Sequence, residues 1–311
     1  MTEIAGSGPT VTSPVPSPVP SEPARRRPAL SPSRAADFKQ CPLLYRFRAV
    51  DRLPETPSRV QVRGTVVHAA LERLFGLPAQ RRDAETGRAL VDPAWRDVQA
   101  DNPELAELFD GTTDPELVEW LDSARRLVEA YFELEDPRRV QPEACELLVE
   151  VELTPTDSAG AAPVLLRGYI DRLDVAPTGE IRVVDYKSGV APREVFEAKA
   201  LFQMKFYALV LLRTRGVVPH QLRLLYLADR QMLSYTPDEA ELVRFERTLV
   251  AIWSAIRRAA VTGDFRPSPG RMCDWCDHKA HCPAFGGTPP PYPGWPEQAA
   301  GGAETARDRA E

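Results

Sequence analysis

Two stretches of alternating apolar character, 164-VLLRGYIDRLDVA-176 and 180-EIRVVDYKS-188, flank Pro177, Thr178 and Gly179. That pattern around a turn-forming triplet predicts an antiparallel hairpin. With the turn centred on Thr178, facing residues have numbers that sum to 356. Val175 then faces Ile181, Leu173 faces Val183, and Asp171 faces Asp185. Period two places Asp171, Leu173, Val175, Ile181, Val183, Asp185 and Lys187 on one face. That face is apolar near the turn and charged farther on.

Carboxylates that face each other repel and destabilise a bare sheet. A divalent cation between them removes the conflict, since Mg²⁺ is held by one or two carboxylates plus waters and substrate phosphates. Lys187 sits about 6–7 Å beyond Asp185 on the same side of the strand. From there its ammonium can orient a water or meet charge on a phosphate. Asp, Asp and Lys around Mg²⁺ point to phosphodiester hydrolysis. The competing arrangement is a set of structural ion pairs, Asp185 with Lys187 or Asp171 with Arg172. A slip of one residue would also break the facing of the acids.

The rest of the chain surrounds this hairpin with helices. Ser31 or Ser33 can cap a helix running to Gln40, and Pro42 suits the start of 41-CPLLYRFRAV-50. Helical spacing marks 61–75, 114–134, 193–215 and 238–263, while 79–112 reads as a polar, loop-rich insert. Further strands are expected at 145–153, 221–228 and 231–236. Helices flanking a mixed sheet of about five strands make the fold α/β or α+β. Residues 1–29 and 286–311 are rich in Pro, Ser and Gly and are expected to be disordered tails around a globular part at 30–285.

Composition excludes some classes. No apolar run approaches the roughly 20 residues of a bilayer span, so no membrane role is expected. The N-terminal stretch has no apolar core of a secretory signal, which favours the cytoplasm. A net charge of −6 shows no global basic field. A local basic groove remains compatible with it. Of the 39 basic residues 34 are Arg, the residue that grips phosphate with two donors, although a codon bias would give the same excess.

Two helical pairs could complete a site. His68 and Glu72 lie four apart in GTVVHAALE, as do Gln203 and Tyr207 in QMKFY. Either pair could equally be structural, the first as a packed histidine and the second as an amphipathic boundary.

The five cysteines stand at 41, 145, 273, 276 and 282. An odd number in a cytoplasmic setting argues against disulfides, and three in ten residues point to a metal. Cys41 is a fourth candidate ligand. Alternatively His278 or His281 completes a Cys₃His zinc site, which leaves Cys41 without a role. Cys145 begins an apolar strand and is expected to be a small buried hydrophobe.

The set GTVVHAALE (64–72), GYIDRLD (168–174), VVDYKSG (183–189) and QMKFY (203–207) resembles the RecB-type nucleases of the PD-(D/E)XK superfamily, which include the RecB and AddB nuclease domains and the CRISPR-associated four-cysteine exonucleases. The resemblance spans about 31 to 285. It implies a restriction-endonuclease-like core. It implies that His68, Asp171, Asp185 and the Tyr186 carbonyl bind Mg²⁺ or Mn²⁺, that Lys187 is the catalytic lysine, and that Gln203 and Tyr207 act beside it. Two departures stand out: Ile170 replaces the Pro before the first Asp, and the second acid is Asp185 rather than Glu. Glu72 and Glu150 are candidate extra acids. The resemblance further implies that Cys41, Cys273, Cys276 and Cys282 bind one [4Fe–4S] cluster, for which four thiolates are the usual ligation.

The expectation is a metal-dependent DNA nuclease, an exonuclease on single-stranded or end-exposed DNA in repair or recombination. No GxxxxGK[ST] motif is present, so unwinding would need a helicase partner or frayed ends. The alternatives are a silent nuclease-like binding module and a CRISPR spacer-processing enzyme.

Overall fold

The computed structural model describes residues 27–112, 114–154, 162–192 and 197–295. Most of the expected tails, 1–26 and 296–311, lies outside these residues, as do 193–196 of the expected helix at 193–215.

The N-terminal half is helical. Helix α1 (Pro32–Gln40) is capped by the Ser31 hydroxyl, which accepts the Arg34 N–H at 3.2 Å. Helix α2 (Pro42–Tyr45) runs on into a π-helical turn at Arg46–Asp51. Helix α3 (Arg59–Phe75) turns Val66, Val67, Ala70, Leu71 and Leu74 inward at helical spacing. The stretch expected to be an irregular insert instead holds α4 (Ala84–Ala89) and α5 (Val91–Asp101). Val91, Ala94 and Trp95 supply a short apolar stripe there that the surrounding polar residues conceal in the sequence. Helix α6 (Pro115–Leu134) starts as its sequence predicts, with Pro115 in the first turn and Asp114 accepting the Glu116 N–H at 2.8 Å.

Five strands follow in one mixed sheet of order β1-β2-β3-β4-β5: β1 (Ala144–Leu153), β2 (Val164–Val175), β3 (Ile181–Lys187), β4 (Gln221–Tyr226) and β5 (Gln231–Tyr235). All neighbours are antiparallel except β3 and β4, which are parallel. A parallel pair needs a crossover, and α7 (Glu197–Arg215) supplies it. Helix α8 (Glu239–Thr262) is capped by Asp238 and stops at Gly263 with φ of 72°.

The sheet separates two cores. On one side α1, α2, α7 and α8 cover Leu166, Ile170, Leu173, Ile181 and Val183. On the other, α3, α5 and α6 cover Val184, Tyr186, Leu225 and Leu227. Both faces of the central strands are therefore covered, so the polar groups within them need partners of their own. This is the mixed α/β sheet flanked by helices expected of a restriction-endonuclease-like core. Among the described residues no helix is long and apolar enough to cross a membrane.

Both outer boundaries move relative to the sequence expectation. Residues 27–29 are ordered: Ala29 is buried, and Leu30 pairs with β2 through its N–H to Leu165 O at 2.8 Å. The segment 286–295, assigned to the C-terminal tail, packs back on the fold. Trp295 is 4% exposed and meets Trp253 edge to face, and the Tyr292 hydroxyl donates to Ala260 O at 2.8 Å. Burial of two large rings outweighs a Pro- and Gly-rich composition.

Candidate active site

The expected hairpin register is present as far as it can run. Val175 pairs with Ile181, Leu173 with Val183, and Arg172 with Val184. The ladder stops there, one residue short of the facing acids. Beyond that point the Asp171 carboxylate accepts the Tyr186 backbone N–H at 2.8 Å, so a side chain takes over from the ladder.

The neighbouring strand is distorted at the same level. Pairing of β1 with β2 runs from Ala144–Leu173 and Cys145–Arg172 to Leu147–Ile170 and omits Glu146–Asp171. Glu146 has φ of 46°, a left-handed conformation that costs a non-glycine residue about 1–3 kcal/mol. The facing of β2 changes here too. Ile170 and Leu173 both enter the α7–α8 core, while Arg172 points to the other side. The kink brings the Glu146 and Asp171 carboxylates together.

His68 on α3 completes the group. Its Nδ1 lies 3.4 Å from Asp171 Oδ2 and 3.9 Å from Glu146 Oε1. Its Nε2 lies 2.9 Å from the Tyr186 carbonyl, so Nε2–H donates there and Nδ1 is left as a lone-pair donor facing the acids. Burial lowers the His68 pKa and keeps the ring neutral. The ligand atoms of His68, Glu146 and Asp171 all lie within 4.8 Å of one another. Gly64, one turn before His68, faces Ser188: a Cβ there would sit 3.1 Å from the Ser188 hydroxyl. That glycine lets α3 approach the end of β3.

Asp185 is almost wholly buried at the end of β3. Its Oδ1 accepts Gln203 Nε2 at 2.8 Å. Its Oδ2 forms a buried ion pair with Lys187 Nζ at 2.6 Å. Gln203 Oε1 accepts Lys187 Nζ at 2.9 Å, and Gln203 Nε2 also reaches the Tyr207 hydroxyl at 3.3 Å. One amide thus holds the acid, the lysine and the tyrosine. Gly168 makes room for the last of these, because a Cβ there would meet the Tyr207 ring at 2.8 Å.

The electrostatics agree with a cation site. Burial, then the charge of Asp185, raises the Asp171 pKa well above the carboxylate range. Burial, with Glu72 and Asp185 nearby, pushes Glu146 up to about 7. Carboxyls that resist ionisation together and a neutral imidazole lone pair fit a divalent ion.

The structure thus gathers His68, Asp171, Asp185, Tyr186, Lys187, Gln203 and Tyr207. It adds Glu146, which sequence reasoning missed. The signal was the Glu in CELLVEVEL, but a ten-residue connection left the β1–β2 register unreadable. Glu72 stands near the group. Glu150, the other candidate extra acid, does not: it pairs with Arg167. Of the two structural ion pairs weighed from the sequence, Lys187 does approach Asp185. Arg172 turns away from Asp171 and binds Glu135 at 2.7 Å and Asp174 at 3.0 Å.

The cysteine region forms a second group. Cys41, Cys273, Cys276 and Cys282 line one small cavity of about 180 Å³. Backbone N–H groups of Ser268 and Gly270 donate to Cys41 Sγ and Cys273 Sγ, each at 3.3 Å. His278 is buried with Nε2 held by Glu55 at 3.0 Å. Cys145 lies apart, near Arg172 and Glu72, where burial raises its thiol to about 11.

Comparison with known proteins follows the same lines. A sequence model described as the PD-(D/E)XK nuclease superfamily matches residues 29–283. The Gene 69 protein of Mycobacterium phage D29 is 27% identical over 285 residues, covering 83% of this chain and 97% of that protein. The Gene 69 protein of Mycobacterium phage L5 is 23% identical over 300 residues, with the same two coverages of 83% and 97%. Among solved structures, one from Eubacterium rectale named "Putative exonuclease" superposes with a TM-score of 0.54 at 14% identity, covering 80% of this chain and 87% of that one. This last likeness is one of fold. The match across nearly all the described residues means that the chain belongs to the PD-(D/E)XK nuclease superfamily.

Proposed function

We propose that the protein is a Mg²⁺- or Mn²⁺-dependent DNA nuclease of the RecB type, an exonuclease on single-stranded or end-exposed DNA in repair or recombination. The observation that carries the reading is the convergence of His68 Nδ1, Glu146 and Asp171 beside the buried carboxylate of Asp185. His68 through Nδ1, Asp171 and Asp185 would hold the ion, with Glu146 as a further ligand; the Tyr186 carbonyl accepts His68 Nε2–H on the opposite edge of the ring and holds the imidazole rather than the ion. A divalent ion in that position supplies Lewis acidity and an acidified water.

The chain's own residues do the rest. Lys187 Nζ lies 2.6 Å from Asp185 Oδ2 and can turn towards a phosphate oxygen. Gln203 fixes the lysine and Asp185 relative to each other, and Tyr207 fixes Gln203. The Tyr186 carbonyl selects the His68 tautomer.

Within the same proposal, Cys41, Cys273, Cys276 and Cys282 hold a [4Fe–4S] cluster that ties α1 and α2 to the C-terminal end. Support comes from the shared cavity and from the amide donors to sulfur, which are a common means of tuning such clusters. The engagement of His278 by Glu55 disfavours a Cys₃His zinc site through that residue. Strand separation falls to frayed ends or to a partner helicase.

The test is end-labelled single-stranded DNA incubated with iron-loaded protein and Mn²⁺, beside Lys187→Ala and Asp185→Asn. Shortened products from the wild type alone are the expected result. Intact strands in every lane would overturn the reading and leave a nuclease-like binding module.

A further inference from the structure

A cleft of about 1040 Å³ opens beside the acidic group, with Asp171, Gln203 and Tyr207 in its wall. The sheet explains why it is there. β3 leaves β2 after the Arg172–Val184 pair, and the N-terminal segment meets β2 only at Leu30–Leu166. Between those two points that edge of β2 has no strand neighbour among the described residues. Helix α1 and the turn after α2 form the opposite wall.

The lining is basic although the chain is acidic. Arg27, Arg34, Lys39, Arg52 and Arg167 all contribute, against Asp171 as the one acid in the wall. Arg27 and Arg167 are answered by Glu152 and Glu150. Arg34, Lys39 and Arg52 have no carboxylate partner among the described residues, and Lys39 and Arg52 are exposed. Two further features are not electrostatic. Tyr169, two residues before Asp171, is 52% exposed at the cleft. Trp295 lines it from the C-terminal segment, 4% exposed, and its Nε1–H has no acceptor among the described residues. A buried donor without a partner is costly, and a phosphate or base oxygen would answer it.

We propose that this cleft seats one unpaired DNA strand leading into the acidic site. Arg34, Lys39 and Arg52 contact its phosphates, Tyr169 stacks on a base, and Trp295 donates a hydrogen bond. The proposal rests on the nuclease reading and deepens it. Cations along a groove with an exposed aromatic face are the means by which single strands are held, and a base within a strand can lie flat on Tyr169 only where it is not stacked in a duplex. In a duplex the base faces are stacked on one another. The C-terminal segment thereby becomes part of the substrate path.

The test is binding of a short fluorescent oligothymidylate to the full chain by anisotropy, in chelator so that nothing turns over. Tyr169→Ala weakens binding by about tenfold, the low end of what one stacked base contributes, and Tyr169→Phe restores it. Trp295→Phe keeps the ring on Trp253 and loses about tenfold, as for one hydrogen bond to a charged acceptor. Lys39→Ala with Arg52→Ala flattens the plot of log affinity against log salt by about 1.4, two single-strand phosphates' share. Affinity and salt slope that match the wild type in all these variants would overturn the proposal, as would a wild type that does not bind. Cleavage is read separately with Mn²⁺. Binding that responds to the cleft variants in a protein that never cuts would support the cleft and remove the nuclease reading. Cutting that continues with binding unmoved would do the reverse.

Discussion

The carboxylate of Asp171 accepts the backbone N–H of Tyr186 at 2.8 Å, one step past the last ladder pair of β2 and β3. This bond marks where the hairpin stops being sheet and becomes a site. It sets the end of β3 so that the Tyr186 carbonyl meets His68, and it turns Asp171 towards Glu146. Asp171→Asn can place its amide oxygen in the same position but removes the charge. The folded chain should therefore keep most of its thermal stability while Mn²⁺ no longer raises its Tm. Calorimetry with and without Mn²⁺ measures both.

Glu146 gives the metal-free protein a distinctive pH dependence. Its carboxyl titrates near 7 when folded, against about 4.5 in an open chain. Asp171 is shifted in the same direction. Between about pH 4.5 and 7 these two carboxyls hold more protons in the folded than in the unfolded state, so their share of stability falls as pH rises through that window, while the lowered pKa of His68 acts in the opposite direction. A divalent ion competes with those protons. Relative to Glu146→Gln, the wild-type Tm in chelator should decline from pH 5 to 7.5, and the gain on adding Mn²⁺ should grow over the same range. A metal-free Tm that climbs with pH relative to the Glu146→Gln variant would count against the protonated carboxyls.

Gly168→Ala tests the support of the site without touching it. The added methyl would press on the Tyr207 ring at 2.8 Å, and the ring is buried with little room to move. Overpacking of this kind costs about 1–3 kcal/mol. Because Tyr207 leans on Gln203, and Gln203 on both Asp185 and Lys187, turnover should fall by more than the loss of stability explains. Activity measured well below the variant's Tm separates the two effects.

Cys41→Ser and Cys145→Ser should behave in opposite ways. The first removes a thiol from the cavity shared with Cys273, Cys276 and Cys282, and iron and visible absorption should be lost with it. The second alters a thiol whose pKa is raised to about 11, which makes it unreactive at neutral pH. Iron content should be unchanged in Cys145→Ser, and alkylation of Cys145 in the folded wild type should be slow.

Arg172→Met should be among the most damaging substitutions outside the site. The guanidinium is fully buried, bound by Glu135 and Asp174, and reached by the hydroxyls of Tyr131 and Tyr186. Removing the cation leaves Glu135 and Asp174 to Arg182 and Arg223 alone and strands the two tyrosine hydroxyls, a loss approaching the roughly 3–5 kcal/mol typical of a broken buried pair. Urea denaturation measures it directly. A loss below about 1 kcal/mol would mean that Arg182 and Arg223, which also reach Glu135, take over the role.

Local pattern alone determined a good deal of this protein. Period two in 164–176 and 180–188, with a turn triplet between them, decided the hairpin and its register through Leu173–Val183, because one shifted residue would have turned the apolar face outward. Four-residue spacing placed His68 on the edge of α3 and joined Gln203 to Tyr207 on α7. What the tertiary structure decided was everything that depends on distant residues meeting. Glu146 entered the site because β1 and β2 kink together at one level, and a strand's own alternation carries no sign of where a neighbour will distort it. Arg172 chose Glu135 over the adjacent Asp171 because the same kink sent it to the other face of the sheet. Trp95 and Trp295 lie in stretches whose average composition is that of a loop, and packing surfaces elsewhere in the chain buried them. Side-chain periodicity is a property of a segment, whereas burial is a property of whatever that segment finds to pack against.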